Sequence, residues 1–329
     1  MKQRRIGSSE LRVSPVGLGC MGFSHASGTP MEKGEAVKVL RQAFDMGYTL
    51  FDTAECYTGI NTDGTISYNE ELVGEALRPV RDQVVIATKG GVRHAADKSL
   101  ILDSRPEVIR KSVEGSLRKL GTDYIDLYYQ HRIDPKVAPE EVAGVMADLI
   151  REGKIRYWGI SEVTEEYLRR AHGVCPVTAV QNRYSMMARW HEKLFPVLEE
   201  LHIGYVAFSP MANGFLSGCY DQNTKFETET DYRSLMPQYT KEGFEKSREL
   251  LEYLQKLSEE KGATPAQLSL AWMLGKKEWL IPIPGSRKPE RLQENLGAAE
   301  VVLTSAEIKE IDEKLDKMQF LVFGGNQAR

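Results

Sequence analysis

The chain alternates between short apolar runs and longer segments whose apolar residues recur every three or four positions. Short apolar runs are typical of strands that are buried on both faces, and the longer spacing is typical of amphipathic helices. Eight strands are predicted, at residues 16–22, 49–52, 84–89, 124–130, 155–160, 177–181, 205–208 and 279–283. Helices are predicted at residues 31–46, 69–77, 106–120, 139–151, 164–172, 190–201, within 244–275 and at 289–296.

The strict alternation of eight strands with eight helices predicts the fold. Parallel strands joined by crossover helices close on themselves, so we predict an α/β fold of the (β/α)8 TIM barrel type. Residues 2–6 and 11–15 are predicted to form a β-hairpin before the barrel, and residues 305–318 an additional helix after it. No linker divides the chain, which predicts a single domain over residues 1–329. Irregular segments are predicted at residues 58–67, 211–240 and 319–329.

Composition and charge argue against several classes of function. The chain has 329 residues, of which 41% are hydrophobic and 27% charged, as in a globular protein with a large core. A net charge of -4 without a long basic face argues against a nucleic-acid-binding protein. No apolar run approaches the ~20 residues of a membrane span, and the N-terminus is polar, so we expect a cytoplasmic protein. The cysteines lack metal-ligand spacing, so we expect reduced thiols and no metal.

Polar side chains stand where three successive predicted strands end. Asp52 ends the strand at residues 49–52, and Tyr57 follows it in the next loop. Lys89 ends the third strand, and His131 ends the fourth. In a parallel barrel the carboxyl ends of all strands lie on one rim, so these side chains become neighbours in space. Taken singly, each of them is also explained as a solvent-facing residue or a helix cap.

Together, the four side chains suit the donation of a proton to an oxygen atom. A phenol with a pKa near ~10 is a weak acid at neutral pH, and an ammonium about 4 Å away lowers that pKa by about three units at an effective dielectric of ~20. Lys89 is therefore expected to activate Tyr57, and Asp52 is expected to keep buried Lys89 charged. His131, as a neutral imidazole, is expected either to orient a carbonyl oxygen by a hydrogen bond or to share in delivering the proton. Reduction of a carbonyl group by hydride requires this chemistry and needs no metal.

A hydride donor must lie beside this group, but the segment VGLGCMGF lacks the GxGxxG spacing of a Rossmann site. Near the C-terminus, a predicted helix starts at Pro289, and Ser286, Arg287, Lys288 and Arg291 surround that start. A helix N-terminus with a hydroxyl group and several cations is typical of an anion site, here for a phosphate carried on a ribose. The alternative is a solvated basic first turn, which would oppose the helix dipole.

Three more side chains lie at predicted strand ends. Ser161 and Gln181 end the fifth and sixth strands and are candidates to hold a carboxamide. Phe208 ends the seventh strand and is a candidate to stack on a flat ring. The alternatives are a place in the core for Phe208 and a helix cap for Gln181.

The motifs FDTAECY, IATK and YYQHRID, with the segment IPGSRKPERLQENLGA, carry a family resemblance. The sequence resembles the aldo-keto reductases over essentially its whole length, and is most similar to the bacterial and plant branch that includes the auxin-induced-type and perakine reductases. The resemblance implies a (β/α)8 barrel that reduces aldehydes and ketones with NADPH. It also implies a catalytic tetrad of Asp52, Tyr57, Lys89 and His131, with Tyr57 as the acid.

The same resemblance implies contacts to the cofactor. Ser161 and Gln181 would hold the carboxamide, and Phe208 would stack on the nicotinamide ring. The pyrophosphate would lie on the loop Ser209–Gly218, with Ser209, Pro210, Met211, Gly214, Leu216 and Gly218 as the residues. The adenosine 2′-phosphate would fall on Gly285, Ser286, Arg287 and Arg291, with Gln293 and Asn295 near adenine.

Three features depart from the family pattern. Glu162 stands where many members have asparagine, so one donor to the carboxamide oxygen is missing. Phe208 replaces the commoner tyrosine, which keeps the stacking and loses a hydroxyl group. The loop Thr58–Ser67 is longer than usual and is interpreted either as a lid or as a flexible insertion.

The substrate pocket is expected to be walled by Met21, Phe23, Arg132, residues 211–240, Phe320 and Phe323. Arg132 is interpreted either as the receiver of an acidic substrate group or as the partner of Asp134.

Two other functions compete with that of a carbonyl reductase acting on small aldehydes or ketones. A barrel lysine such as Lys89 also serves Schiff-base lyases and aldolases. A cofactor-sensing, non-catalytic subunit similar to the β subunits of potassium channels shares the aldo-keto reductase barrel.

Overall fold

The computed structural model describes residues 2–95, 99–226 and 231–325. Its centre is a sheet of eight parallel strands, β1 to β8, whose order across the sheet is their order along the chain. The strands are Leu18–Gly19, Leu50–Asp52, Val85–Gly90, Ile125–Gln130, Ile155–Ser161, Ala179–Arg183, Gly204–Phe208 and Leu280–Pro282. They confirm the eight predicted strands. Helices connect successive strands, as parallel neighbours require.

Two backbone hydrogen bonds close the sheet into a barrel. The N–H of Gly17 donates to the carbonyl of Pro282 at 2.9 Å, and the N–H of Gly19 donates to that of Pro284 at 3.1 Å. Neither proline has an N–H to donate in return, so both bonds run in one direction. A Cβ atom on Gly19 would lie 2.8 Å from the carbonyl oxygen of Ile283, so only glycine permits this approach. The predicted (β/α)8 barrel is confirmed.

The α-helices of the described residues pack around the outside of the sheet. Helices α1 to α10 are Lys33–Met46, Asn69–Leu77, Pro106–Leu120, Pro139–Arg151, Glu165–Val174, Phe195–Glu200, Lys241–Lys261, Pro265–Lys276, Pro289–Gly297 and Ser305–Leu315. Since α7 and α8 both lie between β7 and β8, α7 is a second additional helix besides the predicted one at the C-terminus. The helix predicted at residues 190–201 is shortened to α6, because a 3₁₀ turn at Glu192–Leu194 precedes it. No helix within residues 2–95, 99–226 and 231–325 is long and apolar enough to cross a membrane.

Apolar side chains fill the barrel at the end where the strands begin. The predicted N-terminal hairpin forms from Arg4–Arg5 and Arg12–Val13. Its residues Ile6, Leu11 and Val13 are buried in one cluster with alternate residues of the strands. The strand residues of this cluster include Leu50, Leu127, Val206 and Ile281. A larger apolar cluster lies between the strands and the helices. Because the hairpin closes this end, the carboxyl ends of the strands are left for polar chemistry.

Two hairpins extend from the opposite rim. Thr58–Ile60 pairs with Ile66–Tyr68, and Val92–His94 pairs with Leu100–Leu102. The prediction of an irregular segment at residues 58–67 is therefore wrong, and the second hairpin was not predicted.

The hairpin after β2 is held against the loop that follows β1. Gly59 packs so closely on Ser24 that a Cβ atom at Gly59 would lie 2.1 Å from the Ser24 carbonyl oxygen. At the tip, the side chain of Asp63 accepts the N–H of Thr65 at 2.9 Å, which stabilises the turn. These contacts indicate that residues 58–67 form an ordered part of the rim, which argues against a flexible insertion.

Candidate active site

The carboxylate and ammonium groups at the ends of β2 and β3 form a buried ion pair. Asp52 Oδ1 lies 2.5 Å from Lys89 Nζ, and both side chains are almost fully buried. Lys89 also donates to the carbonyl of Thr53 at 2.7 Å, and Gln181 donates to the second carboxylate oxygen of Asp52 at 2.7 Å. β2 and β3 are neighbours in the sheet, which brings the two strand ends together. The added hydrogen bonds offset part of the cost of burying both charges.

Lys89 carries a positive charge in this position. Burial disfavours the charge, but the attraction of Asp52 and of the Tyr57 oxygen outweighs burial, and the net effect raises the pKa of Lys89 above its ordinary value. The expectation that Asp52 keeps Lys89 charged agrees with this direction.

Tyr57 is brought to the ion pair by the hairpin that follows β2. Its hydroxyl oxygen lies 3.4 Å from Lys89 Nζ. Its carbonyl accepts a hydrogen bond of 2.9 Å from the Ser24 hydroxyl, and its ring stacks on that of His25 at a centroid distance of 6.0 Å. The ring of His131 meets the Tyr57 ring edge-on, with centroids 5.8 Å apart. The structure therefore brings the four predicted catalytic side chains together.

The expected direction of the Tyr57 pKa shift is wrong. Burial raises the pKa of Tyr57 above its ordinary value, and the attraction of Lys89 opposes burial without reversing it. The carboxylate of Asp52 adds to the rise. The sequence-based expectation counted the charge of Lys89 and left out the free energy of moving a phenolate out of water. Tyr57 therefore keeps its proton throughout the neutral pH range.

His131 is a neutral imidazole, in agreement with the expectation. Burial lowers the pKa of His131 well below its ordinary value, and the positive charges of Arg132 and Lys89 lower it further. The Nδ1 atom of His131 lies 3.5 Å from the sulfur of Cys56. Burial raises the pKa of Cys56 to about 12, so this thiol stays protonated beside the imidazole.

Three side chains predicted to hold a nicotinamide lie at the ends of β5, β6 and β7. The hydroxyl of Ser161 accepts a hydrogen bond of 2.9 Å from Arg132. Gln181 donates to the carboxylate of Asp52 and does not cap a helix. The ring of Phe208 is half-buried and lies against two guanidinium groups, with Arg132 Cζ 5.8 Å and Arg183 Cζ 4.9 Å from its centroid. All three therefore lie at the rim. Gln181 contacts the Asp52–Lys89 ion pair, and Ser161 and Phe208 both contact Arg132.

The loop predicted to bind a pyrophosphate, Ser209–Gly218, has a strained backbone. Ser209, Ala212 and Asn213 have φ values of 50°, 49° and 62°, in the left-handed region that non-glycine residues rarely adopt. Each such residue costs on the order of 1–3 kcal/mol, and such residues cluster at ligand sites. The strain favours a binding role for this loop.

Helix α9 begins beside the predicted 2′-phosphate site, and no side chain of residues 2–95, 99–226 or 231–325 caps its first turn. The Ser286 hydroxyl accepts the N–H of Lys288 at 3.1 Å. Arg287 donates to the carbonyls of Ser27 and Thr29, at 2.8 and 2.9 Å. Arg287 thus connects the site to the loop after β1. Pro289 has no N–H, and the N–H of Arg291 donates to the carbonyl of Lys288 at 3.0 Å, so within the described residues the N–H of Glu290 is left for an anion at the start of α9.

The first turns of α9 carry the other predicted contacts. Arg291 lies 2.5 Å from Glu294 and 3.0 Å from the sulfur of Cys219. Asn295 is 2% exposed, and its Nδ2 atom has no hydrogen-bond partner among the described residues. Gln293, in contrast, is exposed on the surface. An unpaired buried amide is costly, which singles out Asn295 as a group that a ligand would satisfy.

Glu162 occupies the left-handed region, with φ of 56°, at the position where asparagine is common in the family. Asparagine adopts this backbone conformation more readily than glutamate. The carboxylate of Glu162 accepts the backbone N–H of Arg183 at 2.9 Å and lies 3.7 Å from His191. Glu162 therefore belongs to a charged cluster behind the rim.

The predicted pocket walls are corrected in part. Phe23 is fully buried in the core between the sheet and the helices and is not exposed at the rim. Phe320 packs against the same core, whereas Phe323 is 44% exposed and its ring centroid lies 5.3 Å from Arg183 Cζ. Met21 is half-buried in the turn after β1. Residues 227–230 of the predicted wall and 326–329 of the tail lie outside the described residues.

Comparison with known proteins agrees with this geometry. The family model described as "Aldo/keto reductase family" matches residues 15–316. The chain belongs to the aldo/keto reductase family. A probable aldo-keto reductase 1 of Glycine max is 38% identical over 313 residues, which cover 94% of this chain and 87% of that protein. The chain is accordingly an enzyme of the oxidoreductase class.

Two solved structures are similar to this chain in fold. A glycerol dehydrogenase of Gluconobacter oxydans is 29% identical, with a TM-score of 0.84 over 96% of this chain and 95% of the other. An aldo/keto reductase of Klebsiella pneumoniae, in complex with NADP and acetate, is 25% identical, with a TM-score of 0.72 over 98% of each chain.

This aldo/keto reductase has rim residues that the sequence patterns did not single out. Arg183 ends β6, two positions after Gln181, so the same strand-end argument would have found it. His25 stacks on Tyr57 and lies in the loop after β1, where no periodic pattern marks it. The contact between Cys56 and His131 joins residues far apart in the chain and has no sequence signal.

Buried, neutral His131 predicts how the stability of this reductase depends on pH. In the unfolded chain a histidine takes up a proton near pH ~6.5, whereas the lowered pKa of His131 keeps it neutral in the fold. The unfolded state then binds more protons, so the free energy of unfolding falls as the pH drops below about 6.5, by up to about 1.4 kcal/mol per pH unit. We expect His131→Gln to reduce this slope in urea unfolding between about pH 7.5 and pH 5.5.

A matched control for the pH slope is His202→Gln, because His202 is exposed. We expect it to leave the slope unchanged. A slope in His131→Gln as steep as that of the wild type would contradict the buried neutral imidazole.

Proposed function

We propose that this chain reduces aldehydes and ketones to alcohols with NADPH, and that Tyr57 donates the proton. The observation that carries the proposal is the Tyr57 hydroxyl, 3.4 Å from an ammonium that is itself paired with a carboxylate at 2.5 Å. A neutral donor beside a fixed positive charge suits an oxygen that becomes negative during the reaction.

The proton is held until the substrate oxygen gains negative charge. When bound, NADPH would supply hydride to the carbonyl carbon. The oxygen then becomes a much stronger base than a phenolate, so Tyr57 gives up its proton despite a raised pKa. Lys89, kept charged by Asp52, stabilises the phenolate that remains on Tyr57.

His131 contributes orientation in this proposal. The Cys56 thiol is protonated, so it can donate to Nδ1 of the neutral imidazole. Nε2 then carries the ring proton and can donate a hydrogen bond to the carbonyl oxygen. His131 and Tyr57 would hold the same oxygen between them, as their edge-on contact allows.

The residues along the rim fit a dinucleotide that carries a 2′-phosphate. The buried Asn295 amide, which has no partner in the part of the chain that the structure describes, suits an adenine ring. The first turn of α9, which no described side chain caps, suits the phosphate. Arg287 and Arg291 would supply the cations, Ser161 and Gln181 would hold the carboxamide, and Phe208 would carry the ring. The loop Ser209–Gly218 would cover the pyrophosphate.

A panel of aldehydes and ketones, followed by NADPH absorbance and repeated with NADH, tests the proposal. We expect turnover with NADPH, and a preference for NADPH that Arg291→Gln lowers about 10–100-fold, since one charge-assisted contact to the phosphate is lost. Arg248→Gln, at an exposed position on α7, is the matched control and should keep the preference. A strong preference for NADH in the wild type would contradict the phosphate site.

The finer points of partners and location stay predictions. Small aldehydes or ketones are the proposed substrates, and the cytoplasm is the proposed compartment, supported by the free cysteines found among the described residues.

A further inference from the structure

Two arginine side chains at the rim bind no carboxylate within the described residues. Arg132 donates through Nη1 to the carbonyl of His131 at 2.6 Å and to the hydroxyl of Ser161 at 2.9 Å. Arg183 donates through Nη1 to the Asn213 side-chain oxygen at 3.4 Å. The remaining guanidinium N–H groups of both residues have no protein acceptor in this part of the chain. Guanidinium groups present several donors, so both side chains have capacity to spare.

The partner expected for Arg132 in the sequence is already engaged elsewhere. One carboxylate oxygen of Asp134 accepts the N–H of Ser104 at 3.1 Å, and the other accepts the N–H of Lys136 at 3.0 Å. Asp134 therefore organises its own loop. One of the two interpretations of Arg132 is an ion pair with Asp134. The structure does not show that ion pair.

Arg183 is held in place by aromatic rings. It is 9% exposed, and its Cζ atom lies 4.9 Å from the centroid of Phe208 and 5.3 Å from that of Phe323. Gly324 passes so close that a Cβ atom there would lie 3.1 Å from Arg183 Nε. Burial lowers the pKa of Arg183 to about 10, which records the cost of keeping this charge out of water. A side chain fixed in this way is preorganised for a ligand.

The charges around the two arginines do not balance. Glu162 attracts Arg183, but its carboxylate oxygens face the Arg183 backbone N–H at 2.9 Å and His191 at 3.7 Å. Arg132 repels Arg183. Lys89 is already neutralised by Asp52. Within the described residues, two guanidinium groups thus feel one nearby unpaired carboxylate, which forms an ion pair with neither of them. The excess positive charge in a poorly solvated site favours an anion.

The excess charge lies next to the reacting groups. Arg132 follows His131 directly in the chain, and its charge acts on the pKa of both His131 and Tyr57. Arg132 and Arg183 both contact the ring of Phe208. An anionic group bound by the pair would therefore lie close to His131 and Tyr57, where a substrate oxygen is proposed to bind.

We propose that Arg132 and Arg183 form a subsite for an anionic group, and that the preferred substrates are aldehydes or ketones that bear a carboxylate or a phosphate. The inference rests on the proposed carbonyl reduction and adds the class of substrate. Guanidinium groups bind carboxylate and phosphate oxygens in a paired geometry, which gives both affinity and orientation. The other source of such an anion is a phosphate of the dinucleotide, since Arg183 also contacts Asn213 in the proposed pyrophosphate loop.

Two para-substituted aldehydes separate these possibilities. In 4-carboxybenzaldehyde and 4-nitrobenzaldehyde the reacting group and the ring are the same, and only the first carries a charge. For the wild-type enzyme we expect the ratio of kcat/KM, carboxylate over nitro, to exceed about 10, since a charge-assisted pair contributes this much selectivity. In Arg183→Gln we expect the ratio to fall about 10-fold, towards one, and in Arg183→Lys by less.

Each outcome decides one question. Arg12→Gln, exposed on the N-terminal hairpin at the other end of the barrel, should keep the wild-type ratio. An unchanged ratio in Arg183→Gln together with a weaker NADPH dissociation constant, followed by fluorescence, would assign the arginines to the cofactor and overturn the substrate subsite. A wild-type ratio near one would also overturn the substrate subsite, and this result does not depend on whether the variant folds. Circular dichroism checks the folding of the variant. Failure of the wild type to reduce either aldehyde would instead sink the proposed reductase function.

Discussion

Replacing Tyr57 with phenylalanine is expected to lower kcat for carbonyl reduction by roughly 10²–10⁴-fold, the range that one positioned general acid contributes. The hydroxyl oxygen of Tyr57 lies 3.4 Å from Lys89 Nζ. Phenylalanine keeps the ring contacts with His25 and His131 and removes the hydroxyl proton. The dissociation constant of NADPH, measured by fluorescence, should stay within about threefold of the wild-type value because the ring is retained. Single-turnover rates would show that the loss lies in the chemical step.

The matched control for this substitution is Tyr124→Phe. Tyr124 lies at the other end of the barrel, where its ring is stacked between Arg81 and Arg156, with guanidinium carbons 4.1 and 3.9 Å from the centroid. The control should retain wild-type turnover. Activity in Tyr57→Phe above about a tenth of the wild-type rate would rule out Tyr57 as the principal acid.

Replacing Asp52 with asparagine is expected to destabilise the fold as well as to stop turnover. The substitution leaves the Lys89 ammonium buried with no carboxylate, and breaking a buried pair from one side typically costs about 3–5 kcal/mol in the free energy of unfolding. Burial without the opposing attraction would also lower the pKa of Lys89, so the phenolate of Tyr57 would lose its stabilising charge. Urea unfolding measures the first effect and kcat the second.

Two comparisons test the origin of that loss in stability. The double variant Asp52→Asn with Lys89→Met removes both charges and should be more stable than Asp52→Asn alone, since no uncompensated charge is left buried. Asp103→Asn breaks an ion pair of 2.8 Å with Arg105, whose side chain is 59% exposed, and should cost less than about 1 kcal/mol. Equal losses for Asp52→Asn and Asp103→Asn would contradict the role of burial.

The barrel itself could be predicted because its signal is repeated. A strand such as Ile125–Gln130 is buried on both faces and reads as a largely apolar run, and a helix such as Pro106–Leu120 shows one apolar side with a glycine after its end. The catalytic candidates followed from the same repetition, because strand ends share a rim. The hairpins at Thr58–Ile60 and Val92–His94 left no comparable signal, since their strands are three residues long and only partly buried.

The electrostatics of the site could not be predicted from residue types alone. The sequence shows that Lys89 follows Tyr57 on the next strand, but the sign of the Tyr57 pKa shift depends on how much water the fold removes. The same limit applies to Arg132, whose nearest acid in the chain, Asp134, bonds the backbone of its own loop. Distances between strands decide which charges remain unpaired. The spacing of residues along the chain does not give those distances.

The one-directional hydrogen bonds from Gly17 to Pro282 and from Gly19 to Pro284 affect where the barrel opens locally. The other neighbouring strands pair in continuous parallel registers, so partial opening should start between the first and last strands, which these two bonds join. Pro284 leads within a few residues into the start of α9, so such opening would also displace Arg287 and the proposed phosphate site. A dinucleotide bound at the phosphate site should therefore stabilise the contact between the first and last strands. Slower deuterium uptake at the amides of Gly17 and Gly19 would show this effect of binding.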